Sequence, residues 1–182
     1  MNVGGLQLLN NLTPDLVVNK LSDIDLDGLT QRDIQALLLD VDNTICPWHG
    51  EEIPQDCRQW IGRALERFSI CLVSNSIKPA RLNRIAAVLG VPAVGRWGLG
   101  RKPLRGGIIE GLKQVQATPQ SAAMIGDQLF ADVLGGNRVG LYTVWVQPLH
   151  SKEFLGTKPA RLLEGLLKKR FARLGIMPES AD

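Results

Sequence analysis

The feature that most constrains the fold is a regular alternation of short apolar runs with longer segments of helical periodicity. The apolar runs, such as Ile34–Val41 and Ser69–Asn75, are continuous rather than alternating, and helix-like segments separate them. Such alternation is typical of βαβ units, and continuous apolar strands are typical of a parallel sheet covered on both faces. The sequence therefore predicts an α/β fold with a mainly parallel sheet.

The pattern divides the chain into five strands and four helices. The strands are predicted at 34–41, 69–75, 91–95, 121–127 and 141–147. The helices are predicted at 54–68, 78–90, 103–116 and within 130–140.

A chain of 182 residues is long enough for one domain with a full core and short for two. We predict a single domain, 1–182, whose motif-bearing core spans 34–147. Residues 1–33 and 151–182 are predicted to be peripheral extensions, and the sequence leaves open whether the first binds a partner or completes the core.

Composition excludes several classes of function. Twenty-one basic and 18 acidic side chains give a net charge of only +3, and aromatic residues make up 5%, so we expect no nucleic-acid partner. The three cysteines show no CxxC spacing, which is typical of reduced cysteines in an intracellular protein. Without a recognisable secretion signal or an apolar run of membrane-spanning length, the predicted location is cytoplasmic.

Polar side chains stand at the carboxyl ends of the predicted strands. Those ends meet at one edge of a parallel sheet, where such folds bind their ligands. Two further polar residues lie where helices begin near that edge. The whole set is Asp40, Asp42, Ser74, Asn75, Lys102, Asp127 and Asp132.

The chemistry of this set is suited to phosphoryl transfer. Four carboxylates in one place repel each other, so they need a cation. Oxygen ligands without histidine or thiolate favour Mg²⁺, which completes its shell with water and substrate phosphate. A lysine and a serine add positive charge and hydrogen-bond donors for a phosphoryl group. One carboxylate can attack phosphorus while its neighbour two residues on transfers protons.

Four short motifs, "DVDNT", "SNS", "RKP" and "GDQLFAD", occur in that order within residues 36–147. Their order and spacing resemble the four motifs of the haloacid dehalogenase-like (HAD) phosphohydrolases. The resemblance implies a three-layer Rossmann-like fold, a Mg²⁺ cofactor and an aspartyl-phosphate intermediate. It also implies that the protein is an enzyme, a phosphoric monoester hydrolase.

The resemblance implies roles for the motif residues. Asp40 would be the nucleophile and Asp42 the general acid and base. Ser74 would bind the phosphoryl group, and Lys102 would stabilise its charge. Substrate would also lie against Asn43, Thr44 and Asn75. The metal ligands would be Asp40, the main-chain carbonyl of Asp42, Asp127 and, directly or through a water, Asp132.

Simpler interpretations exist for single motifs. Asp40 and Asp42 alone are also typical of a turn that ends a strand. An acidic residue such as Asp132 is common in the first turn of a helix. Three arginines near Lys102 compete with it for the role of phosphate-binding cation: Arg96, Arg101 and Arg105.

Two short connections indicate which branch of the family the chain resembles. HAD enzymes insert cap domains after the first motif and before the motif lysine, and only about ten residues are available at each place here. The chain therefore resembles the capless subfamily IIIA phosphatases. "DVDNT", with Asn43 where many relatives have glycine, is most similar to the YqeG-type branch. That branch is similar to phosphatidylglycerophosphate phosphatases of the Gep4 type.

The implied substrate is phosphatidylglycerophosphate, whose head group is anionic. Residues 158–175 are predicted to form a basic amphipathic helix that either contacts the inner face of a membrane or docks on the protein body. Two alternatives stay open. The chain could be a soluble phosphatase for a sugar phosphate, nucleotide or phosphoprotein, or a non-catalytic binding protein on the same fold. Oligomeric state and the choice between Mg²⁺ and Mn²⁺ are not predicted.

Overall fold

The computed structural model describes residues 10–76, 78–95 and 98–149, together with residues 167 and 171. Six strands form one sheet in the order β1-β6-β5-β2-β3-β4, and every neighbouring pair is parallel. The prediction of an α/β fold with a parallel sheet is confirmed. The strands are β1 (Leu16–Val18), β2 (Ala36–Leu39), β3 (Ser69–Ser74), β4 (Ala93–Gly95), β5 (Ala122–Gly126) and β6 (Tyr142–Val146).

All four predicted helices are present, and a short helix precedes them. A wide π-helical turn, Leu129–Val133, leads into the last one. Gly90 and Gly140 end two of the helices in the left-handed conformation that glycine adopts without a steric penalty. The helices are α1 (Leu26–Thr30), α2 (Gln55–Leu65), α3 (Pro79–Leu89), α4 (Arg105–Gln114) and α5 (Leu134–Val139).

The central strand β2 is buried on both faces, which explains its continuous apolar sequence. Leu37 and Leu39 pack into the core on the side of α2 and α3, whereas Leu38 packs into the core on the side of α4. All three leucines are completely buried, and burying each contributes roughly 2 kcal/mol. The sheet is thus the middle of three layers, as in the predicted Rossmann-like arrangement.

Residues 16–29 of the N-terminal extension are part of the core, so the prediction of a peripheral extension does not hold for them. Strand β1 pairs with β6 at one edge of the sheet. Four apolar side chains that follow β1 are buried in the same core as α2 and α3. They are Leu21, Ile24, Leu26 and Leu29.

Most of the predicted C-terminal helix, 158–175, lies outside the described residues. Leu167 and Phe171 are described, and they are 2% and 0% exposed. The Phe171 ring makes an edge contact with the Trp145 ring at a centroid distance of 6.0 Å. These two side chains of the predicted amphipathic helix therefore pack on the protein body.

The connections around the motifs leave no space for a cap domain. Residues 40–54 join β2 to α2, and residues 96–104 join β4 to α4. Both are far shorter than the roughly 50 residues of a small domain. In the part of the chain that the structure describes, no helix has the length and apolar character needed to cross a bilayer.

Candidate active site

The candidate site lies at the carboxyl edge of the sheet, where the order of strands reverses. Strand β2 lies between β5 and β3, so chain segments leaving β2 and β5 diverge and open a crevice. Asp40 follows β2 directly, and its backbone N–H donates to the Ile125 carbonyl at 2.9 Å. Asp127 follows β5 directly, so the two carboxylates project from neighbouring strand ends.

The loop after β2 turns sharply at Asn43, which has φ 59°. Asparagine tolerates this left-handed conformation better than most residues, which explains how it replaces the more usual glycine. The Asn43 backbone N–H donates to the Cys46 carbonyl at 2.7 Å and closes the turn. The turn returns the chain toward the sheet with Asp42 at the crevice.

The Thr44 side chain contacts a carboxylate of the site, whereas neither polar atom of the buried Asn43 side chain has a hydrogen-bond partner in the described part of the chain. Both side chains are completely buried, and neither lines the cavity that contains Asp40. The Thr44 hydroxyl lies 3.4 Å from Asp127 Oδ1 and donates to it. The observed partner of the Thr44 side chain is thus Asp127, and contact of Asn43 and Thr44 with substrate stays a prediction.

Lys102 is the cation that the fold brings to Asp40. Its ammonium lies 2.6 Å from Asp40 Oδ1, 2.7 Å from Asp132 Oδ1 and 2.6 Å from the Val73 carbonyl. The side chain is 1% exposed. Of the competing arginines, Arg101 lies at the mouth of the cavity and Arg105 lies outside its lining; Arg96 is outside the described residues. Lys102 is therefore the cation in contact with Asp40, and its role toward a phosphoryl group stays a prediction.

Burial and charge shift the pKa values of these groups strongly. Burial raises the pKa of Asp40 to about 7, although the Lys102 ammonium opposes the shift. Burial, with repulsion from Asp40 and Asp132, raises the pKa of Asp127 to about 9. Burial would lower the pKa of Lys102, but the carboxylates of Asp132 and Asp40 raise it above its usual value. The site therefore has too little positive charge to balance its buried carboxylates.

Three carboxylates converge on one point. Asp40, Asp127 and Asp132 each offer an oxygen, and these atoms lie within 4.8 Å of one another. Asp132 is 1% exposed, and its Oδ2 accepts from the Gln128 backbone N–H at 3.0 Å. The Asp42 side chain is not part of this cluster. The cluster matches the oxygen-only ligand set predicted for a divalent cation.

Gly126 permits the close approach of Asp132 to the sheet. A Cβ at position 126 would lie 2.7 Å from the Asp132 Cβ and would overlap its carboxylate. Gly126→Ala is expected to destabilise the fold by about 2 kcal/mol and to displace Asp132, because the buried carboxylate has no space to move. Thermal unfolding should show a fall in Tm of roughly 5 °C.

Gly62→Ala is the matched control for this prediction. Gly62 lies within α2, and a Cβ there would meet no atom within 4 Å. Alanine should stabilise the helix by up to about 1 kcal/mol. A Gly126→Ala protein as stable as the Gly62→Ala protein would contradict the packing described for Asp132.

Ser74 is the last residue of strand β3, and Asn75 follows it, on the other side of Asp40. The Ser74 hydroxyl accepts from the Ser76 backbone N–H at 3.0 Å, so its own proton remains available to a ligand. The Asn75 side-chain amide accepts from the Lys102 N–H at 2.8 Å and donates to the Lys102 carbonyl at 3.0 Å. Asn75 thereby fixes the backbone that carries Lys102, and its contact with substrate stays a prediction.

Asp42 is held by a buried arginine that the sequence analysis missed. Asp42 Oδ1 lies 3.0 Å from Arg81 Nη1 and accepts from the His49 backbone N–H at 3.1 Å. Arg81 is 4% exposed and also donates from Nε to the Gly50 carbonyl at 2.9 Å. The available signal was a cation within the apolar stripe of α3, which also contains Leu82.

The site residues line a cavity of about 480 Å³. Asp40, Asp42, Ser74 and Lys102 contribute to its wall, and a second group of residues surrounds its mouth. That second group includes Trp48, His49, Lys78, Arg101 and Phe130. The volume falls in the range that holds a whole small ligand.

Comparisons with known proteins agree with this geometry. Residues 6–149 match the family described as "Mitochondrial PGP phosphatase". The chain is 28% identical over 163 residues to "Probable phosphatase YqeG" of Bacillus subtilis, which covers 89% of this chain and 92% of that protein. It is 28% identical over 165 residues to "Phosphatidylglycerophosphatase GEP4, mitochondrial" of Saccharomyces cerevisiae, covering 81% and 88% of the two chains.

A solved structure supports the same fold. A HAD-like phosphatase of Mesorhizobium loti superposes with a TM-score of 0.50 at 22% identity, over 74% of this chain and 76% of that one. The predicted HAD fold and the predicted kinship with YqeG-type and PGP phosphatases are confirmed. The chain therefore belongs to the PGP phosphatase family and is a phosphatase of the HAD type.

Proposed function

We propose that this phosphatase converts phosphatidylglycerophosphate to phosphatidylglycerol through a phosphoaspartate at Asp40. The main support for this mechanism is that the two oxygens of the Asp40 carboxylate have different surroundings. Oδ1 accepts from Lys102, whereas Oδ2 is buried and has no hydrogen-bond partner within the described part of the chain. One oxygen is thus fixed by a cation, and the other is left to react. The names of the relatives support the lipid substrate.

We assign a separate role in the reaction to Asp40 and to each of the side chains around it. Asp40 attacks phosphorus, and the bond from phosphorus to the alcohol oxygen breaks. Asp42 donates a proton to that oxygen and then removes one from the water that hydrolyses the phosphoaspartate. Ser74 donates a hydrogen bond to the phosphoryl oxygens, and Lys102 neutralises their charge.

The residues present fit a Mg²⁺ ion. Their donors are all oxygens, and one carboxylate oxygen from each of Asp40, Asp127 and Asp132 lies within 4.8 Å of the other two. Asp40, Asp127 and Asp132 would hold the ion through their side chains, and we expect Asp42 to contribute its main-chain carbonyl. When bound, Mg²⁺ supplies positive charge to the transferring phosphoryl group.

Metal binding should depend on pH. The raised pKa of Asp127, about 9 against 3.8 in the unfolded chain, means that the folded metal-free protein keeps a proton which the unfolded chain releases. Its free energy of unfolding should therefore fall as pH rises between these values. Asp127 would have to lose that proton to hold Mg²⁺, so the stabilising effect of added Mg²⁺ should grow with pH.

Thermal unfolding at pH 6 and pH 8 checks this expectation. Mg²⁺ at one fixed concentration, about ten times its Kd at pH 8, should raise Tm by roughly 4 °C at pH 8 and by less at pH 6. Asp127→Asn should remove most of the Mg²⁺ effect at both values. An equal rise in Tm for the wild type and for Asp127→Asn would contradict the assignment of these ligands.

Arg81 should act as a positioning residue for Asp42. Arg81→Lys keeps the charge but loses the planar fork that joins Asp42 to Gly50, so we expect kcat to fall about tenfold with little change in KM. The pH profile of kcat should change shape as well, because Asp42 transfers the proton.

Arg84→Gln is the matched control on the same helix. Arg84 is exposed and pairs with Glu51 at 2.6 Å, outside the cavity lining. It should leave kcat and the pH profile unchanged. If Arg81→Lys behaves like Arg84→Gln, the proposed positioning of Asp42 is wrong.

The substrate is tested by phosphate release. Phosphatidylglycerophosphate in mixed micelles with Mg²⁺ is compared with a panel of soluble phosphomonoesters, with Asp40→Asn as the blank. A higher kcat/KM for the lipid than for any soluble ester is expected. Activity on soluble esters alone would keep the mechanism and overturn the lipid substrate.

Membrane contact through 158–175 and a cytoplasmic location stay predictions. Leu167 and Phe171 pack against the protein body, which favours docking of the tail over insertion of these two side chains in lipid. Vesicle co-sedimentation tests the contact: anionic vesicles should retain the full chain, and truncation after Gly156 should release it.

A further inference from the structure

The cavity has an inner part and an outer part with different charge balance. In the inner part, Lys102 is already paired with Asp40 and Asp132, and the Asp42 side chain is paired with Arg81, which lies outside the cavity lining. Both of these cations are buried. A single phosphoryl group with its metal would occupy only this inner part.

The outer part carries two cations without acidic partners. Lys78 and Arg101 line the same cavity as Asp40, and both side chains are exposed. Neither forms an ion pair with any residue of the described ranges, and the only acidic residues in the cavity wall are Asp40 and Asp42. The mouth of the cavity therefore has an uncompensated positive charge.

We propose that Lys78 and Arg101 form a second anion subsite, which binds the phosphodiester of the substrate head group. This inference rests on the proposed function, because phosphatidylglycerophosphate carries a phosphodiester anion one glycerol away from the phosphomonoester. The monoester occupies the inner part against Asp40, and the diester lies at the mouth. A phosphomonoester that lacks the second anion uses only the inner part.

Two water-soluble substrates isolate this subsite from any effect of a membrane surface. Deacylated phosphatidylglycerophosphate, which is glycerophosphoglycerophosphate, carries both anions, and glycerol 3-phosphate carries only the monoester. The measured quantity is the ratio of their kcat/KM values. The wild type should prefer the substrate with two anions, and added salt should reduce that preference.

The Lys78→Gln/Arg101→Gln protein should show this ratio lowered by about tenfold or more, because two charge-assisted contacts are lost. Arg58→Gln/Arg63→Gln is the matched control. It removes the same net charge from exposed positions on α2 outside the cavity and should keep the wild-type ratio.

Two outcomes would overturn the subsite. If the wild type prefers the substrate with two anions and the Lys78→Gln/Arg101→Gln protein keeps that preference, the diester is bound elsewhere and the proposed function stands. If the wild type shows no preference, there is no diester subsite. Phosphate release from phosphatidylglycerophosphate in micelles then tests the proposed function independently of the subsite.

Discussion

Asp40→Asn should abolish turnover, with a fall in kcat of at least about 10⁴-fold. The amide cannot attack phosphorus, and among residues 10–76, 78–95 and 98–149 no other carboxylate has the same pair of environments, one oxygen on Lys102 and one without a partner. The fold should persist, because the amide oxygen can still accept from Lys102. Stability without metal should change by no more than about 1 kcal/mol, since burial already disfavours the charged carboxylate.

Steady-state phosphate release and thermal unfolding measured on the same preparation check this prediction. Asp33→Asn is a suitable control, because Asp33 is exposed and its positive φ of 58° is tolerated by asparagine. It should keep wild-type activity and Tm. An Asp40→Asn protein with residual kcat near that of the wild type would mean that another group attacks phosphorus.

Lys102→Met should damage both stability and activity. Methionine fills a similar volume, but it leaves the Asp40 and Asp132 carboxylates buried without their cation. Removing one partner of a buried ion pair typically costs about 3–5 kcal/mol, so Tm should fall by roughly 10 °C. Loss of charge stabilisation in the transition state should also lower kcat by about 10²–10³-fold.

A double-mutant cycle separates charge from packing in this prediction. If repulsion between unpaired carboxylates causes the loss, adding Asp132→Asn to Lys102→Met should restore part of the stability. Arg101→Met, at the exposed neighbouring position, should leave Tm nearly unchanged. A Lys102→Met protein with the Tm of Arg101→Met would contradict the buried ion-pair network.

The sequence was sufficient to predict the sheet and the edge at which the site lies. Continuous apolar runs identified β2 and β5, and the polar residues after them had to meet at the carboxyl edge. Strand β1 was missed because three residues, Leu16–Val18, are too short for a periodic signal. Its partner β6 lies more than a hundred residues away in the chain, so only the tertiary structure defines the pairing.

The side-chain contacts within the site were not predictable from spacing. The Thr44 hydroxyl and the Asn75 amide are groups that commonly bind substrates. Their observed partners, however, are Asp127 for Thr44 and the Lys102 backbone for Asn75. Those partners depend on how two loops approach each other across the crevice. Arg81 was missed because motif spacing says nothing about a cation on a helix that follows the second motif.

The most direct test of the central claim is chemical trapping of the intermediate. The enzyme is quenched in acid during turnover and treated with borohydride, which reduces an acyl phosphate on aspartate to homoserine. Peptide mass spectrometry should then find homoserine at position 40 in the wild type and in no other position. Homoserine at another aspartate, or none during rapid turnover, would contradict the account of Asp40 as the nucleophile.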